Sequence, residues 1–176
     1  MSGARHRLGG GDTCVTGVPG VTLVPMELVH PPHARPGRGR TALVTSVESD
    51  SHTWNLVYLQ LVLEELGFAV TNLGACVPDA LLVDTAVRLE PDLVVVSSVN
   101  GHGHNDGRRV VGGLRAEPAL RHTPIVIGGK LGVVADDGPD VVADLVGAGY
   151  DAVFVGEDAL DRFRGFLAAA GESAAC

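Results

Sequence analysis

The pattern of hydrophobic and polar positions changes near residue 40. Before it, apolar residues are scattered among glycines and prolines; from Arg40 onward they fall into regular blocks. Residues 41–47 (TALVTSV) form a short β-rich apolar run. Residues 54–66 (WNLVYLQLVLEEL) have helical periodicity and stop at Gly67, a usual helix terminator. Residues 68–73 (FAVTNL) read as a strand. Residues 78–89 read as a helix that opens with Pro and then Asp, which suits the positive end of the helix dipole. Residues 92–97 (DLVVVS) are a continuous apolar run, as in a strand covered on both faces. Then follow a helix over 106–116, a strand over 124–127 (PIVI), a short helix over 141–148, a strand over 152–155 (AVFV) and a closing helix over 157–170.

Five strands alternating with five helices imply a parallel sheet joined by right-handed crossovers. The expectation is an α/β fold: a flavodoxin-like (Rossmann-like), doubly wound five-stranded parallel sheet of order 2-1-3-4-5. It makes a single domain with an N-terminal extension. Ligands on such sheets sit at the carboxyl ends of the strands, near the switch between strands 1 and 3. The informative loops are therefore 48–53, 74–77, 98–105, 128–137 and 156–158.

Composition supports one ordinary domain. The 176 residues (18.1 kDa) are 45% hydrophobic and 19% charged, enough for a buried core. Charge is uneven. Residues 1–40 hold five Arg against two acidic residues, with eight Gly and five Pro; the remainder carries a net charge of −11. We read residues 1–39 as a flexible Gly/Pro/Arg-rich extension, with a short ordered piece at 21–29 (VTLVPMELV), and 40–172 as the domain. His6, His30 and His33 read as solvated histidines of that extension. The overall charge of −8 and pI near 5.2 argue against a nucleic-acid partner. No apolar run reaches the ~18–20 residues that cross a bilayer, so no membrane partner is expected. The N-terminus lacks the apolar stretch of a signal peptide, and three cysteines (Cys14, Cys76, Cys176) form no paired framework. Both fit a cytoplasmic location.

Three loops carry candidate chemistry. After the first strand come Asp50 and His52, two apart and so on one side of an extended segment. A carboxylate there can accept from one imidazole nitrogen and leave the other for a metal or proton; a chance Asp-x-His in a surface loop is the plain alternative. After the third strand, Ser97 and Ser98 offer hydroxyls, and Gly101 and Gly103 allow close approach to a flat ligand. His102 and His104 lack a third ligand nearby, so solvated loop histidines is the stronger reading. After the fourth strand, Gly128-Gly129 permits a tight turn against a ligand. It is not GxGxxG, and Lys130 has no preceding GxxxxG, so neither a dinucleotide loop nor a P-loop fits. Asp136, Asp137 and Asp140 read as an exposed acidic turn.

Together these loops resemble the cobalamin-binding domain shared by adenosylcobalamin mutases and corrinoid methyltransferases. That family carries D-x-H-x-x-G after strand 1, S-x-L after strand 3 and G-G after strand 4. Here they stand as DSHTWN (50–55), SSV (97–99) and GGK (128–130). The run VSSVNGHGH is nearest to the small subunits of glutamate (methylaspartate) mutases, and the resemblance covers residues 41 to 170. It implies adenosylcobalamin bound base-off and His-on, with His52 as the lower axial cobalt ligand and Asp50 bonded to its other ring nitrogen. The displaced nucleotide tail would enter a slot beside the first strand and the 54–66 helix. Ser97, Val99 and the loop Gly128, Gly129, Lys130, Leu131, Gly132, Val133 and Val134 would line that slot. Ser49, Ser51, Thr53, Asn55, Ser98 and Gly101 would complete the cofactor contacts, with Gly156 and Glu157 near the end of the tail. No catalytic residue is expected in this chain. The resemblance implies an isomerase subunit, inactive alone, whose TIM-barrel partner caps the corrin and holds the substrate.

Two positions depart from the motifs: Asn55 replaces the last Gly and adds a side chain, and Val99 replaces Leu. Other readings fit less well. Corrinoid methyl carriers place a helical cap domain ahead of the cobalamin domain, and the first forty residues are too few and too poorly patterned for one. A flavodoxin-like FMN electron carrier would want aromatic walls near strand 1, where only Trp54 stands. A receiver domain would need an acceptor Asp where Ser97-Ser98 stand, and a Lys where Gly156-Glu157 stand.

Overall fold

The structure is a computed structural model that describes residues 39–132 and 139–173. The expected extension at 1–39 and its candidate ordered piece at 21–29 thus lie almost wholly outside the described residues, as do Val133, Val134, Asp136 and Asp137. In chain order the elements are β1 (Thr41–Ser46), α1 (Trp54–Glu65), β2 (Ala69–Asn72), α2 (Asp79–Leu89), β3 (Leu93–Ser98), α3 (Gly103–Ala116), a 3-10 turn (Pro118–Leu120), β4 (Ile125–Gly129), α4 (Pro139–Ala148), β5 (Ala152–Phe154) and α5 (Ala159–Ser173). The strands form one parallel sheet of order β2-β1-β3-β4-β5, the expected flavodoxin-like arrangement.

Alternation along the strands sends side chains to two cores. Leu43, Val94, Val96, Ile125 and Ile127 pack with Leu82 of α2, Val110 and Leu114 of α3 and Leu145 of α4. Ala42, Val44, Val95 and Val126 pack with Leu56 and Leu63 of α1 and Phe163 and Leu167 of α5. Because both faces are covered, all six residues of β3 are buried, which is why Leu93, Val94, Val95 and Val96 form a continuous apolar run rather than an alternating one. Truncating a fully buried residue such as Leu63 to Ala costs about 2–5 kcal/mol.

Register matters most at the carboxyl ends. Ser46 pairs with Ser97, Ser97 with Gly128, and Ser98 with Gly129. The hydroxyls that end β3 and the glycines that end β4 therefore meet side by side at the carboxyl edge of the sheet. There the chain departs from expectation twice: β4 runs on through Gly128 and Gly129 instead of stopping at Ile127, and α3 starts at Gly103, three residues early. A Cβ on Gly103 would lie 2.7 Å from the Leu131 side chain and 2.9 Å from Ser98 Cβ. Only glycine lets this turn pack so tightly, and His104 N donates to Leu131 O at 2.9 Å to hold it. Tertiary packing thus extends a helix into residues of poor helix propensity. No helix among the described residues is long and apolar enough to cross a membrane.

Candidate cofactor site

The loop from β1 to α1 is built around Asp50, whose side chain is fully buried. One carboxylate oxygen accepts from the backbone N–H of His52 at 3.0 Å and meets His52 Nδ1 at 2.7 Å. The other accepts from Val99 N at 2.6 Å, across from the third strand. Burial on its own raises the carboxyl's pKa, but the hydrogen bonds from His52 and Val99 outweigh it and hold the group below the usual carboxylate range. Asp50 is therefore an anion that fixes one ring nitrogen of His52 as N–H. That leaves Nε2 as the acceptor, on a side chain 48% exposed. Thr53, exposed, caps α1 through its carbonyl, which accepts from Leu56 N and Val57 N at 3.1 Å. Ser51 is exposed.

Beside this loop a groove of about 240 Å3 opens between α1 and α5, over β3 and β4. Trp54, Asn55, Tyr58 and Leu59 form one wall, Leu160 and Phe163 the other, with Ser97, Val99, Gly128 and Gly129 at the floor. Two glycines keep the floor open. A Cβ on Gly128 would come 2.8 Å from the Phe154 carbonyl oxygen. Gly129 has φ +116, and a Cβ there would meet Ser98 O at 2.2 Å, so neither position accepts a side chain. Asn55, 6% exposed, donates from Nδ2 to Ser97 Oγ at 2.7 Å, while its Oδ1 is buried without a hydrogen-bond partner among the described residues.

On the far side of β3 the same loops are tied down. Ser98 Oγ donates to Asn100 Oδ1 at 3.1 Å, and Asn100 Nδ2 donates to the Ser49 carbonyl at 2.8 Å. Ser49 Oγ donates to Asp106, whose other oxygen accepts from Arg109 Nη1 at 2.7 Å; Arg109 in turn pairs with Asp79. Burial raises the Asp106 pKa, but the Ser49 and Arg109 contacts outweigh it and hold the carboxyl low. This network clamps the β1 and β3 loops to α2 and α3.

Not every residue singled out in the sequence borders the groove. Lys130 is exposed and its carbonyl accepts from Gly101 N at 3.3 Å. Leu131 is buried in the opposite core, and Gly132 is half-buried. Gly156 and Glu157 are exposed in the turn before α5, outside the groove lining. His102 caps α3, and His104 pairs with Asp144 of α4 at 2.7 Å. Sequence reasoning missed Asn100 and the α5 wall; the apolar spacing of Leu160 and Phe163 was the available signal for the latter. No group of three or more His, Cys, Asp or Glu among the described residues could hold a metal ion. One oriented imidazole cannot retain a bare cation, but it suits a metal that arrives already chelated by a macrocycle. The groove is smaller than the ~300–1,000 Å3 typical of whole-ligand pockets.

The B12 binding domain family matches residues 40–164. The glutamate mutase sigma subunit of Halobacterium salinarum is 32% identical over 114 residues, covering 65% of this chain and 75% of that one. A cobalamin-binding protein from Desulfitobacterium hafniense superposes with TM-score 0.58 at 26% identity, covering 71% of this chain and 56% of that one, so this chain spans little more than half its length. The receiver domain of a sensor histidine kinase from Pseudomonas aeruginosa superposes with TM-score 0.54 at 17% identity, covering 74% of this chain and 95% of that one. That last likeness is one of fold.

Proposed function

Because the chain belongs to the B12-binding domain family, we propose that it is the cobalamin-holding small subunit of an adenosylcobalamin-dependent carbon-skeleton mutase. The glutamate to 3-methylaspartate type is the nearest, in line with the sigma subunits it resembles. The observation that carries this reading is the Asp50–His52 pair. A buried anion holds Nδ1 and turns Nε2 outward, beside a groove suited to a detached nucleotide tail.

In this reading His52 Nε2 is the lower axial ligand, and the cofactor is base-off. Asp50 keeps the ring in one tautomer and one orientation, which raises its basicity as a ligand. Trp54, Tyr58 and Phe163 offer apolar faces to the tail, and the bare backbone at Gly128 and Gly129 lets it lie close to the sheet. The orphaned Asn55 Oδ1 fits a polar ligand group entering that groove. Bound here, adenosylcobalamin would supply a cobalt–carbon bond whose homolysis begins the rearrangement. That chemistry needs a dry cavity above the corrin, and the described residues on this side of the sheet are open loops. We assign the cavity and the substrate to a separate catalytic subunit of TIM-barrel type, without which this chain is inactive. The proposed setting is cytoplasmic.

Titration of the purified chain with hydroxocobalamin, followed by absorbance, tests the reading. Saturable binding with a His-on spectrum that His52→Ala abolishes is the expected result. No binding, alone or with the catalytic subunit of a related mutase present, would overturn it.

A further inference from the structure

The β1 and β3 loops are joined by a reciprocal pair of hydrogen bonds. The Asp50 carboxylate accepts from Val99 N at 2.6 Å, and Asn100 Nδ2 donates to the Ser49 carbonyl at 2.8 Å. Each loop thus sends one side chain to the backbone of the other, at adjacent positions. Asn100 Nδ2 also reaches Ser49 Oγ at 2.9 Å. Asn100 Oδ1 works within its own loop, accepting from Ser98 Oγ at 3.1 Å and from His102 N at 2.9 Å. Both donors and both acceptor positions of this amide are therefore in use. Asp50 N donates to Val47 O at 3.1 Å, and Cys76 N donates to Asp50 O at 2.9 Å. Those two bonds hold the main chain at residue 50. The Val99 bond sets where the carboxylate points, and Asn100 sets where Val99 lies relative to Ser49. Beyond Asp50 the support thins: Ser51, His52 and Thr53 are exposed. His52 takes its place from the Asp50 carboxylate, which meets both its N–H and its Nδ1.

We propose that Asn100 is a positioning residue for His52: through Ser49 it holds the Asp50 loop in ligand-ready shape before cofactor binds. The inference rests on His52 being the cobalt ligand. When only the ordered loop binds, the apparent dissociation constant is the intrinsic one divided by the ordered fraction. Losing the Asn100 bonds lowers that fraction. It touches neither the imidazole nor the groove, whose lining does not include Asn100. Affinity therefore falls, while the complex, once formed, keeps His52 on cobalt.

Three variants of the full chain test this. Asn100→Asp keeps an acceptor for Ser98 and His102 and removes both donors to Ser49. Asn100→Ala removes all four bonds. Ser49→Ala, at an exposed position, is the safest for the fold; it cuts the tie to Asp106 and one of the two Asn100 bonds. Hydrogen exchange on the unliganded chain follows the His52 and Val99 amides, both bonded to Asp50. Hydroxocobalamin titration gives the dissociation constant and the saturated spectrum. Both Asn100 variants should exchange these two amides roughly tenfold faster, with the amides within β1 and β3 unchanged. They should bind roughly tenfold more weakly, the low end for an outer partner of a metal ligand, and still reach a His-on spectrum at saturation. Ser49→Ala should move the same readouts by less. Faster exchange with wild-type affinity would make the clamp merely structural and overturn the proposal. So would weaker binding with wild-type exchange, loss of the His-on spectrum at saturation, or no change in any variant. Absence of binding by folded wild type would overturn the cobalamin reading and this inference with it.

Discussion

His52 and His104 each meet an aspartate at 2.7 Å, yet the two pairs do different work. His52 offers Nδ1 to an aspartate that is fully buried and tied by its other oxygen to Val99 N. Its Nε2 points away from the pair. His104 offers Nε2 to Asp144, which is a third exposed and shared with Arg108 through contacts of 2.6 and 2.9 Å. The outward nitrogen of His104 is thereby consumed, and the pair bridges α3 to α4 on the surface. Distance alone does not mark a ligand. What separates the two is which nitrogen is bound and whether the carboxylate can move.

The sharpest way to break this contrast is His52→Ala. Under the proposed function it should lower cobalamin affinity by more than the roughly 10–100-fold that loss of an outer partner costs, and erase the His-on spectrum. The fold should stay intact, because the ring is half exposed. Asp50→Asn comes next. Asp50 accepts three N–H groups, whereas an asparagine has one oxygen and would turn an NH2 toward a donor. Affinity should fall roughly 10–100-fold through misorientation of His52, with a stability loss of about 1–3 kcal/mol measured by denaturant melt. Wild-type affinity in the Asp50→Asn protein would mean that His52 needs no partner.

The sequence carried the sheet because its signals were local. Each strand was a short apolar run and each helix had a terminator or a charged first turn, so the order β2-β1-β3-β4-β5 followed from alternation alone. The Asp-x-His pair was legible for the same reason, since both residues sit in one loop. Contacts between distant loops were not legible. Nothing near Asn100 marks it as the link from Ser98 to Ser49. Gly103 looked like a loop residue, and only the fit against Ser98 and Leu131 makes it helical. Asn55 could be seen to replace a glycine, but not to hold Ser97 with one atom and leave the other without a partner among the described residues. Leu131, grouped with the loop after the fourth strand, belongs to the opposite core.

Acid should separate the two pairs by stability. The Asp50 carboxyl titrates lower in the folded chain than its ordinary value of 3.8, because its hydrogen bonds outweigh its burial. Its stabilisation is thus complete above that value and is lost as pH falls through the lower folded one. A melt series across that range should show an acid limb that Asp50→Asn flattens. The Asp144 carboxyl is also held low, chiefly by His104 and then by the Arg108 charge. It sits in solvent, however, where salt and water screen the pair, so removing it should leave most of that limb in place. The smallest effect is expected from His104→Ala. Asp144 would keep Arg108, and the groove and the Asp50 loop would keep every contact described above. Cobalamin affinity should then match wild type, and the denaturation midpoint should barely move. A fall in affinity comparable to that of His52→Ala would show that the α3 side of the sheet also holds the ligand, and the division between the two histidines would have to be redrawn.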